Sequence, residues 1–223
     1  MTEQWSLFRF FEMGGVFMWP LLIFSILTVA LILERVFYIL FHDLRTGKVR
    51  REALDLIEHG RISQAEEYLN SLKPRNVSGR ILREVLKNAP YGEHRMEKAV
   101  EAEGQEQIRR LENGFNFLSA LASIGPLTGF LGTVSGMIGA FRSIAEAADV
   151  NAQLVANGIY EALMTTVFGL IIAIVALVGY NILSHRVDSF AADITKVASD
   201  MVAAVSIRQE QTSTRQSLKE TTA

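Results

Sequence analysis

Apolar residues along this chain gather into three blocks, and most of the charges lie between them. Residues 14–33 read "GGVFMWPLLIFSILTVALIL", without a charge. Residues 113–141 read "NGFNFLSALASIGPLTGFLGTVSGMIGAF", again uncharged. The third block, residues 157–184, carries Glu161 near its start. A membrane-crossing helix needs about 20 predominantly apolar residues, so the pattern predicts three transmembrane helices, at 14–41, 113–141 and 157–184. The surplus length of the second projects beyond the bilayer or is taken up by tilt. A soluble reading would have to bury two uncharged runs of this length in a small chain. A cleaved leader is disfavoured too, because Glu3 and Glu12 stand where a basic flank belongs and no small-residue cleavage site follows.

The segment between the first two blocks reads as helical. Leu54 and Ile57, then Ala65, Tyr68, Leu69 and Leu72, recur at helical spacing and predict a hairpin. Gly60 marks the stop of its first helix, Ser63 with Glu66 fits a capping box for the second, and Pro74 ends it. A further helix over 77–88 is broken by "NAPYG". The stretch "HRMEKAVEAEGQEQIRRLENGFNFL" then predicts one helix running into the second span, with charges alternating in sign as on a solvated helix or a bundle. This region reads as a structural collar. The polar tail "RQEQTSTRQSLKETTA" is expected to be disordered at its end. The predicted fold class is therefore an all-α membrane protein: three transmembrane helices, long helical cytoplasmic extensions and a cytoplasmic helical hairpin region.

Lys and Arg near the span ends set the orientation. Arg45, Lys48, Arg50 and Arg51 follow span 1, Arg109 and Arg110 precede span 2, and Arg186 follows span 3, whereas 142–156 holds only Arg142 beside Glu146 and Asp149. The expected layout is a periplasmic segment 1–13, span 14–41, a cytoplasmic helical region 42–112, span 113–141, a periplasmic loop 142–156, span 157–184 and a cytoplasmic extension and tail 185–223. The N-terminal "WSLFRFFEMGG" either lies along the outer interface or is a leader without structure. Composition narrows the chemistry. A formal net charge of −2 argues against nucleic acid, and the absence of cysteine excludes disulfides and thiolate chemistry. Four scattered histidines make a poor metal site, so no metal or cofactor is expected.

Span 2 carries Gly125, Gly129, Gly132, Gly136 and Ala140 at steps that share one helical face. Small residues in that register let two helices approach closely. Pro126 removes one backbone hydrogen bond there and can kink the helix. Thr133 stands beside the stripe, either bonding its own helix's carbonyl four residues back or facing a polar path. In span 3, a charged carboxylate in hydrocarbon is costly, by roughly 2.5–3.5 kcal/mol on insertion scales, unless it faces a cavity or partner or is protonated. Thr165 shares the face of Glu161, Thr166 flanks it, and Gly169 leaves that face open, so this stripe could line a polar path between helices. The competing reading places Glu161 in the first helical turn at the headgroups, behind Asn157 as a cap and favoured by the helix dipole.

These residues resemble the MotA/TolQ/ExbB proton-channel family, most closely its ExbB-type biopolymer-transport members, over most of the chain. "GGVFMWPLLIFSILTVALILER" resembles the family's first span with its closing Glu34–Arg35 pair. "GPLTGFLGTVSGMIGAF" is similar to the second-span signature, and "ANGIYEALMTTVFGLIIAIVALVGYN" to the third. Three spans favour the ExbB/TolQ branch over the four-span MotA proteins. The resemblance implies a homopentamer in the bacterial inner membrane whose pore holds single helices of an ExbD/TolR-like partner. An aspartate on that partner carries protons, and the motion drives a TonB- or TolA-like protein, with TonB-type uptake the expected task. It places the family's pore glutamate at Glu161 and its threonines at Thr166 and Thr133, with Thr165 standing where members often have alanine. Two departures bear on the proton route: Ile174-Val175-Ala176 replaces an Ile-Pro-Ala run, and Ile124-Gly125-Pro126 replaces Thr-Ala-Pro. The expected function is thus a motor subunit and not an enzyme. The alternatives are a membrane scaffold without proton conduction and a stator for gliding or another motility task.

Overall fold

The computed structural model describes residues 14–146 and 152–221. Its elements are α1 (Met18–Phe41), α2 (Thr46–Glu58), α3 (Ile62–Ser71), α4 (Val77–Asn88), a 3-10 turn (Ala89–Tyr91), α5 (Glu93–Glu112), α6 (Phe115–Glu146) and α7 (Ala152–Thr221). The expected all-α class is what is found, with no strand among the described residues beyond an isolated bridge between Asp43 and Asn76. Three stretches, Met18–Phe41, Glu93–Glu146 and Val155–Thr214, each hold a run long and apolar enough to cross a membrane. The N-terminal segment 1–13 lies outside the described residues. Of the expected loop, 142–146 belong to α6 and 152–156 to α7, and the rest also lies outside.

Contacts divide the chain into two units, Met1–Arg35 with Gly114–Leu183 and Val36–Asn113 with Ser184–Ala223. In the first, Met18 and Leu21 of α1 form a buried cluster with Ile172 of α7, flanked by Phe24 and Phe168. Ile32 fills the space over Gly179, where an added Cβ would stand 2.6 Å from its Cδ1. Phe115 at the start of α6 meets Tyr180 edge-on at 6.0 Å. Arg35 is buried, its Nε 2.6 Å from the Glu34 carboxylate.

The helix expected to run unbroken into the second span is interrupted. Asn113 takes an extended ψ of 131° and Gly114 a φ of 88°, which separates α5 from α6. Glycine enters this left-handed region without a Cβ penalty, and a Cβ at Gly114 would stand 3.3 Å from Arg35 Nε. Gly104, by contrast, is accommodated within α5.

In the second unit, Gly60 ends α2 as expected. At φ 75° its N–H donates to the Ile57 carbonyl at 2.9 Å and the Arg61 N–H donates to that of Leu56 at 2.8 Å. That pair of bonds is a Schellman closure. The capping box expected at Ser63 and Glu66 does not form: α3 begins at Ile62, two residues before a Ser63 cap would start it, and Arg61 occupies the cap without a side-chain bond. The closing turn carries the chain straight into α3, so Ser63 already lies inside the helix. Burial, aided by a hydrogen bond with Glu52, pushes the Tyr68 phenol up to about 12. On α5, a hydrogen bond from Arg110 holds the Glu106 carboxyl below its usual range.

The cap of α4 is Asn76. Its Oδ1 accepts from the Gly79 N–H at 2.7 Å, and its Nδ2 donates to Asp43 Oδ2 at 3.3 Å. Removing such a cap costs about 0.5–2 kcal/mol, and this one is buried and bonded on both sides. Asn76→Ala is expected to lower the thermal midpoint of the detergent-solubilised protein by several degrees, while Asn76→Asp, which keeps the acceptor, stays closer to wild type.

The C-terminal helix corrects another expectation. The tail expected to be disordered at its end is helical to Thr221. Val187, Phe190, Ile194, Val197, Met201 and Val205 are buried, continuing at three- and four-residue steps the stripe begun by Ala162, Thr165, Gly169, Ile172, Ala176 and Leu183. Arg50 of α2 donates to Asp200 at 2.8 Å, and Gln209 donates to the Ala89 carbonyl at 2.9 Å.

Candidate functional site

The site is built on the contact between α6 and α7. The two helices are antiparallel, with Gly125 opposite Gly169, Gly129 opposite Thr165 and Gly136 opposite Gly158. A Cβ on Gly169 would stand 2.5 Å from the Gly125 carbonyl oxygen, and one on Gly129 would stand 2.7 Å from that of Thr165. The glycine stripe read from the sequence is therefore a contact within one chain. Gly125, Gly129, Gly132, Gly136 and Ala140 are all buried along it. Pro126 lies inside the continuous α6 beside the stripe. The expectation that Gly169 leaves its face open is overturned, because the backbone of α6 at Gly125 occupies that space.

Three hydroxyls converge at the middle of this contact. Thr133 Oγ1 lies 3.0 Å from the Ala162 carbonyl and 3.3 Å from that of Gly129, and it touches Thr166 Oγ1. Thr166 Oγ1 is 3.3 Å from the Gly129 carbonyl. Thr165 Oγ1 lies 2.9 Å from the Ala162 carbonyl and 3.2 Å from that of Gly129. Each hydroxyl has one proton to donate and each helical carbonyl keeps one lone pair beyond its own backbone bond, so the two carbonyls and the Thr133–Thr166 contact together take up the three protons within the chain. Thr165, expected to line a path with Glu161, is instead fully buried between the helices, where its side chain fills the space beside Gly132. Thr133 bonds its own helix's carbonyl, the first of the readings made of it, and also touches the Thr166 hydroxyl.

Glu161 stands one turn from this cluster toward the start of α7. That helix begins at Ala152, so Glu161 lies more than two turns inside it and not in the first turn, as the helix-end reading required. Its half-buried carboxylate lines a cleft of about 600 Å³ with Ser135, Gly136, Gly139, Ala140, Ser143, Asn157, Gly158 and Tyr160. Small residues make the cleft and polar ones edge it, so Glu161 gains a niche that larger side chains would fill. The arrangement sets one carboxylate beside hydroxyls and an amide. Among the described residues, no group of three or more His, Cys, Asp or Glu could hold a metal ion. α7 passes through Ile174-Val175-Ala176 without interruption.

Sequence reading missed Gly158 and Ala162, although they extend Thr165 and Gly169 at the same small-residue steps. It also missed Gly15, whose backbone abuts the Glu161 carboxylate.

A sequence model of the MotA/TolQ/ExbB proton channel family matches residues 73–196, more than half of the chain. The chain is 33% identical over 179 residues to the biopolymer transport protein exbB1 of Vibrio cholerae, covering 78% of this chain and 77% of that one. It is 29% identical over 168 residues to the biopolymer transport protein ExbB of Salmonella typhimurium, covering 70% and 67%. Over 87 residues it is 44% identical to the Tol-Pal system protein TolQ of Haemophilus influenzae, covering 39% and 38%.

Proposed function

The chain belongs to the MotA/TolQ/ExbB proton channel family, and on that premise we propose that it is the ring-forming subunit of a proton-driven motor in the bacterial inner membrane. The observation that carries this reading is the Glu161 carboxylate, set on a cleft between two apolar runs, 113–141 and 157–184, that hold no other charge. In the proposed layout, segments 42–112 and 185–223 lie in the cytoplasm, and the N-terminus and segment 142–156 lie outside. Five copies surround single helices of an ExbD/TolR-like partner. The broad apolar faces exposed on one chain, including Phe130 and Val134 of α6 and Val167 and Ile171 of α7, are free for lipid, neighbouring copies and that partner. Protons reach an aspartate on the partner helix, and Glu161 is the carboxylate of this chain that meets them. Thr133 and Thr166 hold α6 and α7 in register beside it. The task favoured by the ExbB relatives is TonB-type uptake, with a TonB-like protein receiving the force. The chain makes and breaks no covalent bond of its own.

The test is the native mass of the complex, extracted in mild detergent after co-expression with a single-span protein encoded beside it. Five copies retaining two partner chains are expected. A homo-oligomer that never retains a partner would replace the motor with a membrane scaffold.

A further inference from the structure

The segment ahead of α1 meets the proposed proton site directly. Gly15 takes a φ of 65°, a conformation open to glycine and strained for any residue with a Cβ. There is no room for such an atom. A Cβ there would stand 2.5 Å from Glu161 Cδ and 3.3 Å from its Cγ, overlapping the carboxylate. The turn is also fastened to α1. The Gly15 carbonyl accepts from the Met18 N–H at 3.2 Å, which leads the chain straight into the first turn of α1. Met18 and Leu21, almost fully buried, clamp that first turn against Ile172 on the helix that carries Glu161. The amino end of a helix favours a negative neighbour, through its free N–H groups and its dipole. A carboxylate against the entry to α1 is therefore held by shape and by field together.

We propose that Gly15 is a positioning residue: the glycine turn before α1 seats the Glu161 carboxylate and fixes where it faces in the cleft. The first span is then part of the carboxylate site and not only a membrane anchor. Gly15 lies outside the region matched by the family model, which begins at residue 73. The consequence for proton-driven work rests on the function proposed above. The seating of the carboxylate rests on the geometry alone.

The experiment uses the whole complex with its single-span partner, prepared with 13C-carboxyl glutamate. Subtracting the infrared spectrum of Glu161→Gln isolates the Glu161 carboxyl band. In Gly15→Ala that band is expected to shift, and proton flux into proteoliposomes to fall several-fold. Glu161→Asp withdraws the carboxylate by one methylene, so adding Gly15→Ala to Glu161→Asp should lower flux much less than it does in wild type. An unshifted band in Gly15→Ala would overturn the proposal. So would an equal loss of flux in the Glu161 and Glu161→Asp backgrounds, which would mark backbone strain as the whole effect. Flux that ignores Glu161→Gln would instead remove Glu161 from the proposed proton route, and the carboxyl band would still decide the role of Gly15.

Discussion

Glu161→Gln is expected to lower partner-dependent proton flux by roughly a hundredfold, the low end of the about 10²–10⁴-fold that a positioned proton-transferring side chain contributes. Thermal midpoint and assembly mass should remain near wild type. Glutamine has almost the shape of glutamate, so it fits the same niche against Gly15 and along the cleft with Ser135 and Asn157. It keeps the polarity and removes only the ability to gain and lose a proton. The substitution therefore separates chemistry from shape. The scaffold reading needs only the shape and predicts no change. Reconstituted vesicles carrying the complex, with an internal pH dye, give the measurement. Wild-type flux in Glu161→Gln would transfer the role to the partner's aspartate alone and leave Glu161 as a polar lining.

Gly169→Val should have the largest effect on the fold. The first added atom would meet the Gly125 carbonyl oxygen at 2.5 Å and the Gly129 Cα at 3.2 Å. These are backbone atoms of the facing helix and cannot rotate away, so α6 and α7 must part. Forcing atoms into a packed contact costs about 1–3 kcal/mol. Separation also stretches the bonds from Thr133 and Thr165 across the contact, each worth about 0.5–1.5 kcal/mol. The expected result is a markedly lower thermal midpoint and a smaller yield of the intact oligomer. Gly139→Val is the control, because it carries the same helix-propensity term at a position where an added Cβ meets nothing within 4 Å. If the two variants melt alike, the close approach is not what holds the helices together.

The threonines show how far local reasoning reaches. Helical spacing put Thr165 on the face of Glu161, and the structure keeps them on neighbouring turns. Spacing could not say that α6 comes close enough to seal Thr165 completely while leaving Glu161 half open. That difference follows from what stands opposite each residue on α6. Thr165 faces Gly129 and Gly132, whereas Glu161 lies where Gly136, Gly139 and Ala140 border a cleft. The helix starts show the same limit. Asn76 and Gly60 act as their residue types suggest, because a cap and a left-handed turn are settled within a few residues. Ser63 does not, because the closing turn after α2 had already placed the start of α3.

By itself the sequence determined the helical class, the three apolar runs, the small-residue stripe and the singular position of Glu161. Each depends on residues adjacent in the chain or repeated at one helical period, so each can be read in one dimension. The glycine stripe said that some helix comes close. Only the tertiary structure decided that the helix is α7 of the same chain, that the threonine hydroxyls spend themselves on two backbone carbonyls and on one another, and that Gly15 closes against Glu161. Those facts depend on ångström distances between segments far apart in sequence, where the absence of a single Cβ decides whether two backbones or a carboxylate can share the space.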